Sequence, residues 1–344
     1  MSDVEFLVHS GLGRITLNRP KALNALTHGM VRDIAEHLEK WRADPGVRAV
    51  VAEGAGERGL CAGGDIRSIY EDARSGGTAS WEFWADEYRL NALIGRYPKP
   101  YVAIMDGLVM GGGVGISAHG SHRVVTDRSR VAMPETGIGF VPDVGGTWLL
   151  SRAPGQLGTH AALTTAQLSG ADAIHCGLAD RYVPAGRLPD LYDALATRTP
   201  DSALDLVAET PPPSPLAAAR EWIDHCYAPD TVEEILVRLR DGGEAAVAAA
   251  KEIEGKSPTA LKVTLRALRT AAALPDLESA LAQEYRISRR ALSSAELVEG
   301  IRAQIIDKDR SPRWSPSTVA EVTGELVDSY FADLGDAELA GVRN

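Results

Sequence analysis

The chain has 344 residues, 44% apolar and 24% charged, which is ordinary for a globular protein with room for one large domain or two smaller ones. A net charge of −11 excludes broad nucleic-acid binding through a basic face, though not an anionic ligand held by backbone amides and a few cations. Three cysteines, Cys61, Cys176 and Cys226, form no C-x-x-C pair, and residues 1–5 lack the basic and apolar regions of a secretory leader, so a reducing, cytoplasmic setting is expected.

In chain order, Val4–His9 and Gly13–Asn18 read as a hairpin turning near Ser10-Gly11. Met30, Ile34, Leu38 and Trp41 recur at helical spacing within an expected helix, Asn24–Ala43. Val47–Ala52 is a short buried strand, followed by the glycine-rich stretch Gly59-Leu60-Cys61-Ala62-Gly63-Gly64. Ser80–Gly95 reads as a helix broken by Pro98 and Pro100, and Tyr101–Met105 as another buried strand. A second glycine cluster opens a helix over Val114–His119, and Arg123–Thr126 and Arg130–Ala132 are short strands. Strands alternating with helices indicate an α/β class. From about Thr147 the pattern turns helical, with Pro211-Pro212-Pro213 as a linker or surface loop. Helices are expected over Leu216–Cys226, Thr231–Leu239, Glu244–Ile253, Pro258–Ala273 and Leu277–Ser293. The tail from Asp307 carries Trp314, Tyr330 and Phe331, too many aromatics for a solvated end, so it should dock on the body.

Two glycine loops follow buried strands. Ala62-Gly63-Gly64-Asp65 permits backbone amides to point outward at a helix mouth, where they can hold a carbonyl oxygen as it becomes negative. A tight turn with no ligand has the same composition. Between Gly107 and Gly115, five of nine residues are glycine, which means a special turn, a close ligand approach or close helix packing. The first loop lacks the terminal Lys-Ser/Thr of a Walker A loop, and the second does not satisfy G-x-G-x-x-G. Two strand–glycine–helix units can each supply one amide to an oxyanion hole.

Glu135 and Asp143 lie eight residues apart in Met133-Pro134-Glu135 and Pro142-Asp143-Val144-Gly145-Gly146. A loop doubling back could bring both to one pocket as base, acid or nucleophile, while surface turns would use the same residues. Glu87 is ambiguous alone, and a solvated helix charge is the plainer reading. The scattered histidines form no H-E-x-x-H set, and no G-x-S-x-G is present.

Taken in order, these motifs resemble the crotonase (enoyl-CoA hydratase/isomerase) superfamily. Residues 18–26, Asn18-Arg19-Pro20-Lys21-Ala22-Leu23-Asn24-Ala25-Leu26, are similar to its N-terminal signature. Residues 60–66 and 107–113 are similar to its two oxyanion loops, and 133–146 to its catalytic segment. The resemblance implies a spiral of ββα units over residues 1–195 holding the coenzyme A (CoA) site, followed by a helical region over 196–344 with a docked tail. It also implies a CoA thioester whose carbonyl sits between the amides of Gly64 and Gly112. Lys21, Ala22, Leu23, Ala62, Asp65 and Ile66 would line the CoA arm, and Arg19 and Lys21 could meet its phosphates.

Hydratases of this superfamily commonly carry a second catalytic glutamate two positions after the triple glycine, where this chain has Gly115. The 3-hydroxyisobutyryl-CoA hydrolase branch matches further, at Asp86-Glu87-Tyr88, residues 109–115, 132–146 and 257–264, Glu284-Tyr285-Arg286 and residues 307–314. It implies hydrolysis of a 3-hydroxyacyl-CoA in valine breakdown. Glu135 would be nucleophile or base, Asp143 would bind the substrate hydroxyl or orient water, and Glu87 would hold the hydroxyl or position Glu135. No cofactor is expected, CoA being part of the substrate, and neither nucleic acid nor membrane is an expected partner. A hydratase, isomerase or carnitinyl-CoA-type dehydratase is the alternative on the same scaffold, and a non-catalytic acyl-CoA-binding protein the alternative of another class. Superfamily members often form trimers, so a homo-oligomer is expected unless the tail covers that surface.

Overall fold

The computed structural model describes residues 2–342. The chain divides into two compact units that alternate along it: Met1–Gly64, Arg89–Ala132 and Gln167–Ser214 form the first, and Asp65–Tyr88, Met133–Ala166 and Pro215–Asn344 the second. The division expected at 195/196 falls inside the third segment of the first unit.

All strands of the described residues lie in the first unit. They are β1 (Val4–His9), β2 (Leu12–Leu17), β3 (Ala49–Gly54), β4 (Tyr101–Met105), β5 (Leu108–Met110), β6 (His122–Val125), β7 (Arg130–Ala132), β8 (Leu168–Ser169) and β9 (Arg181–Tyr182). The larger sheet has the order β1-β2-β3-β4-β6-β9 and the smaller β5-β7-β8. β1 and β2 pair antiparallel, Val4 opposite Leu17, about a two-residue turn in which Ser10 and Gly11 both have positive φ (51° and 76°). That twist matches the flanking strands. β2, β3, β4, β6 and β9 then run parallel. Twice the chain passes from the larger sheet into the smaller and on toward a helix: β4 to β5, and β6 to β7. After β3, Cys61 makes a parallel bridge to Val109 in β5, so the first glycine loop occupies the matching place in the preceding turn. This is the expected spiral of ββα units.

β4 is buried at all five positions, as a parallel strand covered on both faces must be, whereas β2 alternates. Val51, Val102, Ile104, Val124 and Val183 of the sheet pack with Leu188, Leu191 and Leu195 and with Leu204 and Val207 from the helices Leu188–Thr197 and Pro200–Val207. The expected helix Asn24–Ala43 begins later, at His28. Leu23 and Asn24 have φ of 54° and 56°, outside helical space. The Asn24 side chain accepts from Arg19 N and donates to the carbonyls of Ala55 and Gly59, pinning the turn, and Thr27 caps the helix through Met30 N.

Helices are the regular structure of the second unit among its described residues, joined by loops. Pro258–Ala271 and Leu277–Leu292 carry its longest buried faces. The tail docks on this unit: Tyr330 and Val342 are buried, the Arg266 guanidinium lies 4.4 Å from the Phe331 ring centre, and Trp314 Nε1 donates to the Gly255 carbonyl at 3.2 Å.

Candidate active site

In the first unit the two glycine loops are laced together. Cys61 N donates to Leu108 O at 3.1 Å, and Met110 N to Cys61 O at 2.9 Å. Glycine is required where they cross. A Cβ at Gly113 would stand 2.4 Å from Cys61 O, and one at Gly59 2.2 Å from Leu108 N. Gly63, at φ 115°, faces the second loop: its Cβ position is 4.0 Å from Gly112 N. Gly112 is the first residue of the short helix Gly112–Gly115, where an amide has no partner within the helix. Leu26 N donates to Gly63 O at 2.9 Å, tying Gly64 to the N-terminal signature. The packing reading of the glycines is therefore correct, and it leaves Gly64 and Gly112 on adjacent loops.

Lys21 and Ala22 are exposed and Leu23 and Ala62 half-buried, with Ala62 N donating to Leu23 O at 3.0 Å. These four thus form one surface in the first unit. Asp65 and Ile66, both half-buried, begin the second unit at the start of the helix Ile66–Ser75. Arg19 donates to Ala25 O at 2.6 Å and so serves the local turn.

The carboxylates gather in the second unit. Glu135 opens the 3-10 turn Glu135–Ile138, and Gly139 ends it with φ 73°. A Cβ at Gly139 would lie 2.4 Å from Glu296 O and one at Gly300 2.3 Å from the Ile138 carbonyl carbon, so only glycines let the helix Ala295–Ile301 press against this turn. Trp84 stacks on Phe140 at 5.4 Å. Three residues after Trp84 on the helix Ala79–Gly95, Glu87 is 2% exposed, which excludes the solvated-charge reading. Glu135 is 6% exposed and Asp143 5%, so neither is a surface turn residue. Glu87 Oε1 and Glu135 Oε2 have no hydrogen-bond partner among the described residues. Unpaired buried carboxylate oxygens are costly in a fold and recur at sites of chemistry.

Burial raises the proton affinity of all of them. Glu87 and Glu135 are held well above the usual carboxylate range, by desolvation first and the negative charge of Asp143 second. Asp143 is pushed up to about 7 by burial, against which the Tyr88 hydroxyl works by donating to Oδ2 at 2.8 Å. Asp143 is therefore the group that ionises most readily beside Glu87 and Glu135.

Residue pattern alone gives no role to three contributors, Tyr88, Glu284 and Ser288. The fully buried Tyr88 hydroxyl holds Asp143 and lies 2.7 Å from Ser288 Oγ. Glu284, also fully buried, accepts from Gly145 N, Thr147 N and Thr147 Oγ1 at 2.7, 2.9 and 2.5 Å. The available signal was Glu284 and Ser288, four apart on the otherwise apolar face of one helix.

The enzyme family is decided by comparison with known proteins. The enoyl-CoA hydratase/isomerase family model matches residues 12–331. The chain belongs to that family, the crotonase superfamily. It is 43% identical to the 3-hydroxyisobutyryl-CoA hydrolase, mitochondrial, of Danio rerio, over 98% of this chain and 91% of the relative. It is 57% identical, with TM-score 0.96 over 99% of each chain, to a structure described as a carnitinyl-CoA dehydratase from Mycobacterium thermoresistibile. A second structure, described as an enoyl-CoA hydratase from Rhodobacter sphaeroides, gives 44% identity and TM-score 0.94 over 99% of this chain and 100% of the other. The crotonase fold and the likeness to the hydrolase branch, expected from the motifs, both hold along nearly the whole chain. The cytoplasmic expectation is corrected: the hydrolase relative is named mitochondrial, not cytoplasmic. The expectation rested on leader features missing from the first residues, and such an absence carries no compartment.

Proposed function

We propose that this crotonase-family chain is an acyl-CoA thioester hydrolase, releasing 3-hydroxyisobutyrate and CoA from 3-hydroxyisobutyryl-CoA, a reaction of valine breakdown. The observation that carries the reading is Asp143, buried and held by Tyr88, placed to act electrostatically on Glu87 and Glu135. Three interacting carboxylates suit a substrate that offers a hydroxyl and needs a water oriented. Gly115, without a side chain, cannot be the second acid/base of two-glutamate hydration.

In this reading the amides of Gly64 and Gly112 stabilise the oxyanion that forms when the thioester carbonyl is attacked, each contributing about 3–4 kcal/mol to barrier lowering. Lys21, Ala22, Leu23, Ala62, Asp65 and Ile66 hold the CoA arm. Glu135 forms the new bond to the carbonyl carbon, or takes a proton from the water that does. The C–S bond breaks, the thiolate leaves and is protonated, and an intermediate acyl-glutamate anhydride would be opened by water. Asp143 binds the substrate hydroxyl or orients that water, and Glu87 holds the hydroxyl or positions Glu135. The raised proton affinity of Glu135 makes its anion a stronger base than a solvated carboxylate. Assembly as a homo-oligomer belongs to the proposal, and sedimentation velocity reads it directly.

The test is thiol release from 3-hydroxyisobutyryl-CoA and crotonyl-CoA side by side, with loss of the enoyl absorbance followed in parallel. Release from the hydroxyacyl ester alone supports the hydrolase. Enoyl loss without thiol overturns it in favour of the second reading, a hydratase or carnitinyl-type dehydratase, which the name of the 57%-identical structure favours. Glu135→Gln should bind the ester and turn over poorly; unchanged turnover would sink the proposed chemistry and leave another catalytic group, whereas a wild type that binds the esters and turns over none would be an acyl-CoA-binding protein.

A further inference from the structure

The geometry points to Glu284 as a positioning residue for Asp143, acting through the backbone of the loop 143–147; this rests on the reading of Asp143 just given. Asp143 is followed by Val144 and Gly145, both at positive φ (53° and 79°), so the loop makes two left-handed steps before the helix Gly146–Leu150. For valine that conformation is strained and requires support from outside the loop. Glu284 supplies it. One carboxylate oxygen, Oε2, takes Gly145 N, and the other, Oε1, takes both Thr147 N and Thr147 Oγ1. A fully buried carboxyl group accepting three donors within three residues fixes the height and tilt of that turn.

The same helix holds the other end of Asp143. Ser288, one turn after Glu284, donates to the Glu284 carbonyl or shares its proton with Tyr88, whose hydroxyl donates to Asp143. Leu277–Leu292 therefore grips the loop backbone through Glu284 and the Asp143 carboxylate through Tyr88. An apolar side chain at 284 would leave three buried donors unpaired. Glutamine keeps the shape but turns an N–H2 toward one of them.

The test compares the wild-type enzyme with Glu284→Gln, Asp143→Asn and the double variant, each with kcat and KM for 3-hydroxyisobutyryl-CoA. Expected is a fall of about 10–100-fold in kcat for Glu284→Gln with KM within about twofold, as misplacement of a reacting group produces. In the Asp143→Asn background the same change should cost less than about twofold, because there is no carboxylate left to place. Equal losses in both backgrounds, or a loss of thermal stability alone, would overturn the proposal while leaving Asp143's role intact. An Asp143→Asn enzyme with full turnover would overturn both. Should Glu284→Gln not fold, Thr147→Val removes only the hydroxyl donor and must show the same kcat-selective, Asp143-dependent pattern, or the proposal fails.

Discussion

Tyr88 and Asp143, 55 residues apart in sequence, meet in a buried hydrogen bond of 2.8 Å. Two hydroxyl protons, those of Tyr88 and Ser288, serve three close contacts here: Tyr88 with Asp143, Tyr88 with Ser288, and Ser288 with the Glu284 carbonyl. An ionised Asp143 draws the Tyr88 proton to itself, so the state of the carboxylate orders the pair of hydroxyls.

The first prediction concerns that bond. Donation from Tyr88 favours the Asp143 anion and opposes the upward push of burial to about 7. Removing the donor in Tyr88→Phe raises the Asp143 pKa further. If the anion is the working form, kcat/KM of the wild type rises through about pH 7, and the rise in the variant sits at higher pH. Each unit of displacement corresponds to about 1.4 kcal/mol. A superimposable pH–rate profile in the two enzymes would show that Tyr88 does not set Asp143's ionisation.

A second prediction follows from proton binding at Glu284. Its carboxyl is raised by burial from 4.5 to about 8 in the folded chain, the donors from Thr147 and Gly145 only partly offsetting this. Between those values the folded state binds more protons than the unfolded one. Its contribution to stability is full below about pH 4.5 and is lost as pH rises through about 8, on the order of a few kcal/mol in all. Urea unfolding between pH 5 and 8 should show a shallower pH slope for Glu284→Gln than for the wild type. Parallel slopes would mean that Glu284 is ionised throughout.

Gly113→Ala tests the lacing of the two glycine loops. The new methyl would sit 2.4 Å from Cys61 O and 3.0 Å from Cys61 Cβ. One loop must move, and with it the separation of the Gly64 and Gly112 amides. Thiol release should fall about 10²–10³-fold if one oxyanion donor is lost, with the circular dichroism spectrum retained. Near-normal turnover in a folded variant would remove these amides from the mechanism.

The tail gives the fourth. Tyr330 is 5% exposed, and the Arg290 guanidinium lies 5.2 Å from its ring centre. Tyr330→Ala should cost about 3 kcal/mol of stability, the usual loss for a buried aromatic, read as a lowered urea midpoint. A surface-like change below about 0.5 kcal/mol would show that the docked tail adds nothing to the fold.

What the sequence determined by itself was everything carried by local pattern: buried runs such as Tyr101–Met105, the period of Met30, Ile34 and Leu38, and the order of the glycine and carboxylate motifs. Those signals lie within a few residues of one another, and steric and hydrophobic demands act at that range. Helix ends were less legible; the start at His28 depends on Asn24, whose partners Ala55 and Gly59 lie more than thirty residues away. Whether Glu87, Glu135 and Asp143 were solvated or buried was decided only by tertiary structure. Burial is set by what packs around a residue: the helix Ala295–Ile301 presses on the Glu135 turn and the helix Leu277–Leu292 holds the Asp143 loop, both well over a hundred residues further on. The same packing brings Glu284 and Ser288 to the Asp143 loop and turns ordinary acids into groups that hold their protons toward neutral pH.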